Sequence, residues 1–197
     1  MKNFFTRYSY TAVRLFLNQF AIALFGMSLA FACGRAGNRS LQIATSILSV
    51  VFYLFLNYAT MWEVGAKDGI SADARKEPRR LFYGFWVGVL ANAINILLAL
   101  MILPGAFVPI GHPVNGISAV ASVIALMIQG MYQGILAVPF RGLALHDFAW
   151  VYFAIVLPAI LVSGIAYILG SYNLHATNIL IQKNKDVKNN GRPDRKK

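Results

Sequence analysis

Polar and apolar positions are sorted along this chain into long blocks. Five of them, residues 15–33, 41–62, 81–103, 117–140 and 148–169, contain no Asp, Glu, Lys or Arg. Each holds at least 19 residues, and a helix needs roughly 20 to cross the ~30 Å hydrocarbon layer of a bilayer. None shows the strict alternation of a barrel strand. The pattern predicts an all-α fold, a polytopic transmembrane helix bundle of about five spans joined by short loops. In such a bundle the backbone polar groups are satisfied within each helix. The last apolar stretch, from Phe148 to Gln182, is interrupted by Pro158 and Gly170; if it is split, the number of spans becomes even.

Flanking segments complete the division. Residues 1–14, with Lys2, Arg7 and Arg14, are expected to be a basic cytoplasmic N terminus, residues 15–170 the bundle, and 171–197 a polar basic tail, partly interfacial or disordered. The stretch Ala30-Phe31-Ala32 has the outline of a signal-cleavage site. The apolar run before it is longer than a signal core, so it is expected to stay as a spanning helix.

The sharpest interruption is MWEVGAKDGISADARKEPRRLF, residues 61–82, which carries five of the 18 basic residues and four of the seven acidic ones. It reads as a cytoplasmic, interfacial loop. Lys67, Arg75, Lys76, Arg79 and Arg80 are the candidate contacts to anionic lipid headgroups, or to a docking partner such as an ATPase subunit. If the preceding helix continues, Glu63 and Lys67 stand at i, i+4 and pair.

Composition strengthens the membrane expectation: 58% of residues are hydrophobic and 13% charged, against about 25% charged in soluble domains. The net charge of +11 sits in loops and tails, where membrane lipids rather than nucleic acid are the expected partner. Cys33 is the single cysteine, which excludes an internal disulfide and a cysteine-based metal motif. No cofactor is expected. The expected location is multi-pass in the cell membrane, in particular a bacterial cytoplasmic membrane, with the N terminus and residues 64–80 in the cytoplasm. Five crossings, however, leave the positive-inside count tied. Nine basic residues, Arg141 among them, fall on the side of the N terminus, and nine, including Arg35, Arg39 and the tail, on the other.

Within the blocks, Gly84–Gly88 and Gly130–Gly134 are GxxxG pairs suited to close helix packing, either inside the bundle or in a homo-oligomer. Asn92 with Asn95, and Gln129 with Gln133, are spaced to share helix faces. They predict a polar seam between the third and fourth spans, read first as interhelical hydrogen bonding and alternatively as a site for an uncharged or zwitterionic solute. Asn18, Gln19 and Asn57 are further amides within the apolar runs. The runs contain no acidic or basic side chain, which speaks against proton-coupled transport.

Little points to chemistry. Glu63, Asp68, Asp73, Glu77 and Asp147 are carboxylates near the expected cytoplasmic face. His112, His146 and His175 are scattered, with His112 and His146 expected on opposite faces. No HExxH, GxSxG, P-loop or GxGxxG is present. The leading expectation is a non-enzymatic subunit or accessory of a membrane transport or envelope assembly. The alternatives are a small-solute binding or transport component using the amide seam, and a membrane-face enzyme using Glu63, Asp68 or Asp147.

Overall fold

The computed structural model describes residues 2–76, 78–109, 112–140 and 142–174. Glu77, Arg141, His175 and the rest of the tail lie outside the described residues. Two long helices open the chain: α1, Lys2–Arg35, and α2, Arg39–Arg75. At 1.5 Å per residue each is roughly 50–55 Å long, well beyond the thickness of a hydrocarbon layer. Gly37 turns the chain between them at φ +66, and the Asn38 side chain accepts the Leu41 N–H at 3.0 Å to cap α2.

Both helices exceed their apolar blocks. The expected basic N terminus is helical from Lys2, and the expected interfacial loop is helix as far as Arg75. No proline interrupts residues 61–75, and Lys67 donates to Glu63 at 2.7 Å one helical turn away. The break comes at Lys76, which takes the left-handed conformation (φ 54) and returns its N–H to the carbonyls of Ala72 and Asp73.

The third apolar block is α3, Tyr83–Ala91, and α4, Ala93–Ile102, with a 3-10 turn to Ala106; the axis bends by 58° at Asn92. The fourth is α5, Pro113–Ile128, and α6, Gln133–Leu136, bent by 83° about a 3-10 turn at Gly130–Tyr132. A two-residue hairpin, Pro139–Phe140 (β1) with Leu143–Ala144 (β2), leads to α7, Val151–Ala154, and α8, Leu157–Ser171. Three helical stretches, Phe4–Arg35, Arg39–Arg75 and Val151–Ser171, are each long and apolar enough to cross a membrane, and up to five are if each bent pair counts as one.

Contacts fix the direction of every segment. α1 runs antiparallel to α2, with Tyr8 on Asp68, Gln19 on Tyr53 and Thr45 on Cys33. α8 runs parallel to α2: Gly65 faces Tyr167 and Gly69 faces Ser171. α3 opposes α8, with Gly84 on Tyr167 and Gly88 on Ser163 and Ile160. The start of α1, the end of α2, the start of α3 and the end of α8 therefore share one end, called here the basic end.

The bent fourth block behaves differently. α5 starts at the opposite end, where Ser118 Oγ donates to Met101 O at 2.9 Å. It descends to Ile128, whose carbonyl meets Gln19 Nε2 at 3.5 Å. The chain then climbs back: Gly134 N–H donates to Ser46 Oγ at 2.7 Å, and Arg39 Nη2 to Ala137 O at 3.3 Å. Ser46 precedes Tyr53, which stands level with Gln19, by seven residues, or about 10 Å of helix. Residues 113–137 thus enter and leave at the same end as a re-entrant hairpin. Here the structure differs from the expectation that the fourth block runs the length of the bundle as one helix. Four segments run the length of the bundle, and Ser171 ends beside the start of α1. The fourth block makes the turn, while Pro158 of the last block sits at the start of α8. Its turn is permitted by Gly130, where a Cβ would lie 2.6 Å from Ala23 O.

Small and polar residues share the interior with Met61, Met131, Leu136 and Tyr152, while many large apolar side chains face outward. Ala23, Ala99, Ala125, Ala166, Ser46, Ser49, Asn57 and Ser163 are buried, while Phe25, Phe31, Leu48, Phe55, Leu97, Val120 and Leu161 are exposed. That arrangement is compatible with a membrane helical protein, in which close backbone packing replaces a hydrophobic drive between helices. The glycine pairs serve this packing with partners other than those expected. Gly84 and Gly88 pack on α8, Gly130 on α1 and Gly134 on α2. The third and fourth blocks do meet, through Leu98, Ala99 and Ile102 of α4 and Ala121 and Ala125 of α5.

Candidate functional site

Three of the buried amides, Gln19, Asn92 and Asn95, form one network centred on a residue outside the expected seam. Asn95 Nδ2 donates to Gln19 Oε1 at 2.9 Å and to Asn92 Oδ1 at 3.0 Å. Asn92 Nδ2 donates to Gly88 O at 2.9 Å. Tyr53 OH reaches Gln19 Oε1 at 3.5 Å. Gln19, Asn92 and Asn95 are all buried, so the network joins α1, α2 and the α3–α4 break, and is not an exposed groove between the third and fourth blocks.

Gln129 and Gln133 do not share a helix face, because the helix breaks between them. Gln133 Nε2 folds back to the Leu126 carbonyl at 3.1 Å, satisfying one of the free carbonyls at the end of α5. Gln129 is buried, and neither its Oε1 nor its Nε2 has a hydrogen-bond partner among the described residues; Asn57 Oδ1 and Asn95 Oδ1 share that condition. A buried amide without a partner costs about 1–3 kcal/mol. The amides are thus partly interhelical glue and partly unspent bonding capacity.

At the basic end, one carboxylate ties three helices together. Asp68 on α2 accepts hydrogen bonds from Arg7 and Tyr8 of α1, and its Oδ2 accepts from Tyr167 OH of α8 at 2.8 Å. The Asp68 side chain is 14% exposed and Arg7 51%. Beside this hub lies a cavity of about 310 Å³ whose lining includes Arg7, Arg75, Arg79 and Arg80 with Asp68 as its carboxylate. Phe4, Tyr8 and Tyr83 form an aromatic wall, with Phe4–Tyr83 ring centroids 5.2 Å apart.

The four arginines are held differently. Arg7 engages Asp68, and Arg79 Nη2 donates to both oxygens of Asp73 at 2.8 and 2.7 Å while its guanidinium stands 4.6 Å from the Tyr172 ring centroid. Arg80 donates to Tyr83 OH. Arg75 makes no hydrogen bond or ion pair with any described residue. Of the five basic residues expected to act together, the structure brings Arg75, Arg79 and Arg80 to the cavity; Lys67 is paired with Glu63 and Lys76 forms the helix stop. Sequence reasoning missed Arg7, Tyr8 and Tyr167. The available signal was Tyr8 beside Arg7 near a block end, where amphipathic rings favour a membrane interface; Tyr167, inside an apolar block, carried none.

A second cavity of about 290 Å³ lies at the opposite end, between Gly105, Asn115, Ser118, His146 and Tyr152. His146 therefore stands at the end of the α5 start, not across the bundle from it, because the fourth block turns back. His146 Nε2 is 3.5 Å from Asp147 Oδ1, and His112 Nδ1 accepts the Val114 N–H at 3.3 Å as the cap of α5. Among the described residues no group of three or more His, Cys, Asp or Glu could hold a metal ion. No protein-family model matches this chain, and neither does any curated protein or solved structure.

Proposed function

We propose that this chain is a four-crossing integral membrane protein with one re-entrant hairpin, acting as a non-enzymatic subunit or accessory of a membrane transport or envelope assembly. The observation that carries the four-crossing topology is the shared end of α1, α2 and α8; the accessory role rests on sequence character alone. With an even number of crossings the tail joins the N terminus, and 15 of the 18 basic residues fall on one side. The other three, Arg35, Arg39 and Arg141, are assigned to the opposite side by their positions in the sequence. The tied charge count disappears, and the positive-inside rule puts the basic end in the cytoplasm.

The test is site-directed labelling in intact cells with a membrane-impermeant thiol reagent, in a Cys33→Ser background. Cysteine at Phe107 or Gly142 is expected to label from outside, and cysteine at Ile70 or Asn173 only after the membrane is opened. Labelling of Asn173→Cys from outside would restore five crossings. The accessory role predicts that the solubilised chain co-purifies with a membrane or ATPase subunit; a lone monomer with turnover would overturn it.

A second reading has its own observation. The α3–α4 and α5–α6 breaks fall at Asn92 and Gln129, with unpartnered amide atoms at bundle depth. Broken helices at the bilayer midplane are where transporters hold solutes. On this reading Asn92→Leu leaves the bundle folded but removes ligand-dependent thermal stabilisation. A broad screen of neutral and zwitterionic solutes that produces no shift with the parent protein would dismiss it.

A further inference from the structure

We infer that the cavity at the basic end is a binding site for a phosphate group. The inference rests on the membrane reading for its geometry: that end continues the apolar belt, so the cavity stands at the depth of lipid headgroups. Four arginines line it against one carboxylate. Counting Asp73, which holds Arg79 from just outside, the described residues leave an excess of two positive charges. A phosphate monoester carries up to two negative charges near neutral pH.

The carboxylate does not compete for the ligand. Asp68 already accepts from Arg7, Tyr8 and Tyr167, and these bonds hold the Arg7 guanidinium and both phenols in place. The Arg75 guanidinium has no hydrogen-bond or ion-pair partner among the described residues. Guanidinium groups suit phosphate because their planar forks match its oxygens in pairs. A volume of about 310 Å³ is about ten times the ~30 Å³ share of one water, which accommodates a phosphate and the first atoms of whatever carries it. The wall of Phe4, Tyr8 and Tyr83 would take those atoms. The ordered charges also distinguish the site from a diffuse basic patch, since three of the four arginines are already anchored to protein groups.

Phosphate chemistry has two sources here, a lipid headgroup and a soluble phosphate, and one experiment separates them. The full-length protein is purified in detergent. Binding of phosphatidic acid, phosphatidylcholine and inorganic phosphate is then followed by native mass spectrometry and thermal shift. Phosphatidic acid is expected to bind at least tenfold more tightly than phosphatidylcholine. Arg75→Gln is expected to lose about tenfold, while Lys67→Gln, outside the cavity, changes affinity less than twofold. Binding of phosphatidic acid without inorganic phosphate assigns the site to a lipid. Comparable binding of inorganic phosphate, in competition with the lipid, assigns it to a soluble ligand. Equal losses from Arg75→Gln and Lys67→Gln would reduce the effect to general surface charge and overturn the proposal, as would no binding by either phosphate species. Because Arg75 bonds to no described residue, its substitution is expected to leave the fold intact, which the unliganded melting temperature checks. The thiol-labelling pattern tests the membrane reading separately, so failure of one is distinguishable from failure of the other.

Discussion

Gly65→Leu is expected to prevent the bundle from assembling, and Gly65→Ala to destabilise it by about 3 kcal/mol or more, at or above the usual range for overpacking. A Cβ at Gly65 would lie 2.2 Å from Tyr167 O, one at Gly69 2.3 Å from Ser171 O, and one at Gly170 2.1 Å from Trp62 O. Each obstacle is main chain, which cannot swing aside as the tip of a side chain would. Relief requires α2 and α8 to separate, and separation would also open the contacts that bring Tyr167 to Asp68. Gly116→Ala is the control, since a Cβ there meets nothing within 4 Å. Thermal unfolding in detergent should show a large fall for Gly65→Ala and Gly170→Ala and little change for Gly116→Ala. Equal behaviour of the three would mean that α2 and α8 do not pack as described.

Asp68→Leu is the second large effect, with an expected loss of about 2–3 kcal/mol. Removing one member of a fully buried ion pair costs about 3–5 kcal/mol; the half-exposed Arg7 is partly screened by water, which lowers the figure. What remains is the loss of a shared acceptor for Tyr8 and Tyr167, whose hydroxyls come from different helices. Asp68→Asn should lose less, because its amide oxygen can still accept one phenolic proton. Arg7→Gln should lose least, leaving both tyrosine bonds in place. Melting temperatures ordered parent, Arg7→Gln, Asp68→Asn, Asp68→Leu from highest to lowest are the expected outcome. If Arg7→Gln proves as damaging as Asp68→Leu, the ion pair alone holds this end and the tyrosines contribute nothing.

The helices were legible in the sequence because charge exclusion over 19 or more residues is a one-dimensional signal. Where they end was not. Gly65-Ala-Lys-Asp-Gly69 is a GxxxG as good as those at Gly84 and Gly130, but its surrounding charges disguise it as loop. Its packing partners, Tyr167 and Ser171, lie about a hundred residues further on. The re-entrant turn was hidden for a related reason. Residues 117–140 have the length and apolarity of a crossing, and the return of Gly134 to Ser46 and of Ala137 to Arg39 is made by contacts far away in the sequence. The amides were legible as polar groups in an apolar setting, yet their partners were not. Gln19 became the hub through Asn95, a contact that spacing on one helix cannot reveal. The cavity was half legible. Arg75, Arg79 and Arg80 stand together in the sequence, whereas Arg7 and Tyr167 arrive from distant helices.

The position of α8 at the end of the described chain has a consequence for biosynthesis. Chains are made from the N terminus, so α2 and α3 emerge long before the helix that fits their glycines. During that interval Gly65, Gly69, Gly84 and Gly88 present a bare backbone groove to whatever surrounds them. The hairpin, by contrast, meets Ala23, Ser46 and Met101 as soon as it is made. α8 is therefore the last of the described helices to reach its place, and the glycine face of α2 and α3 stays uncovered until it does.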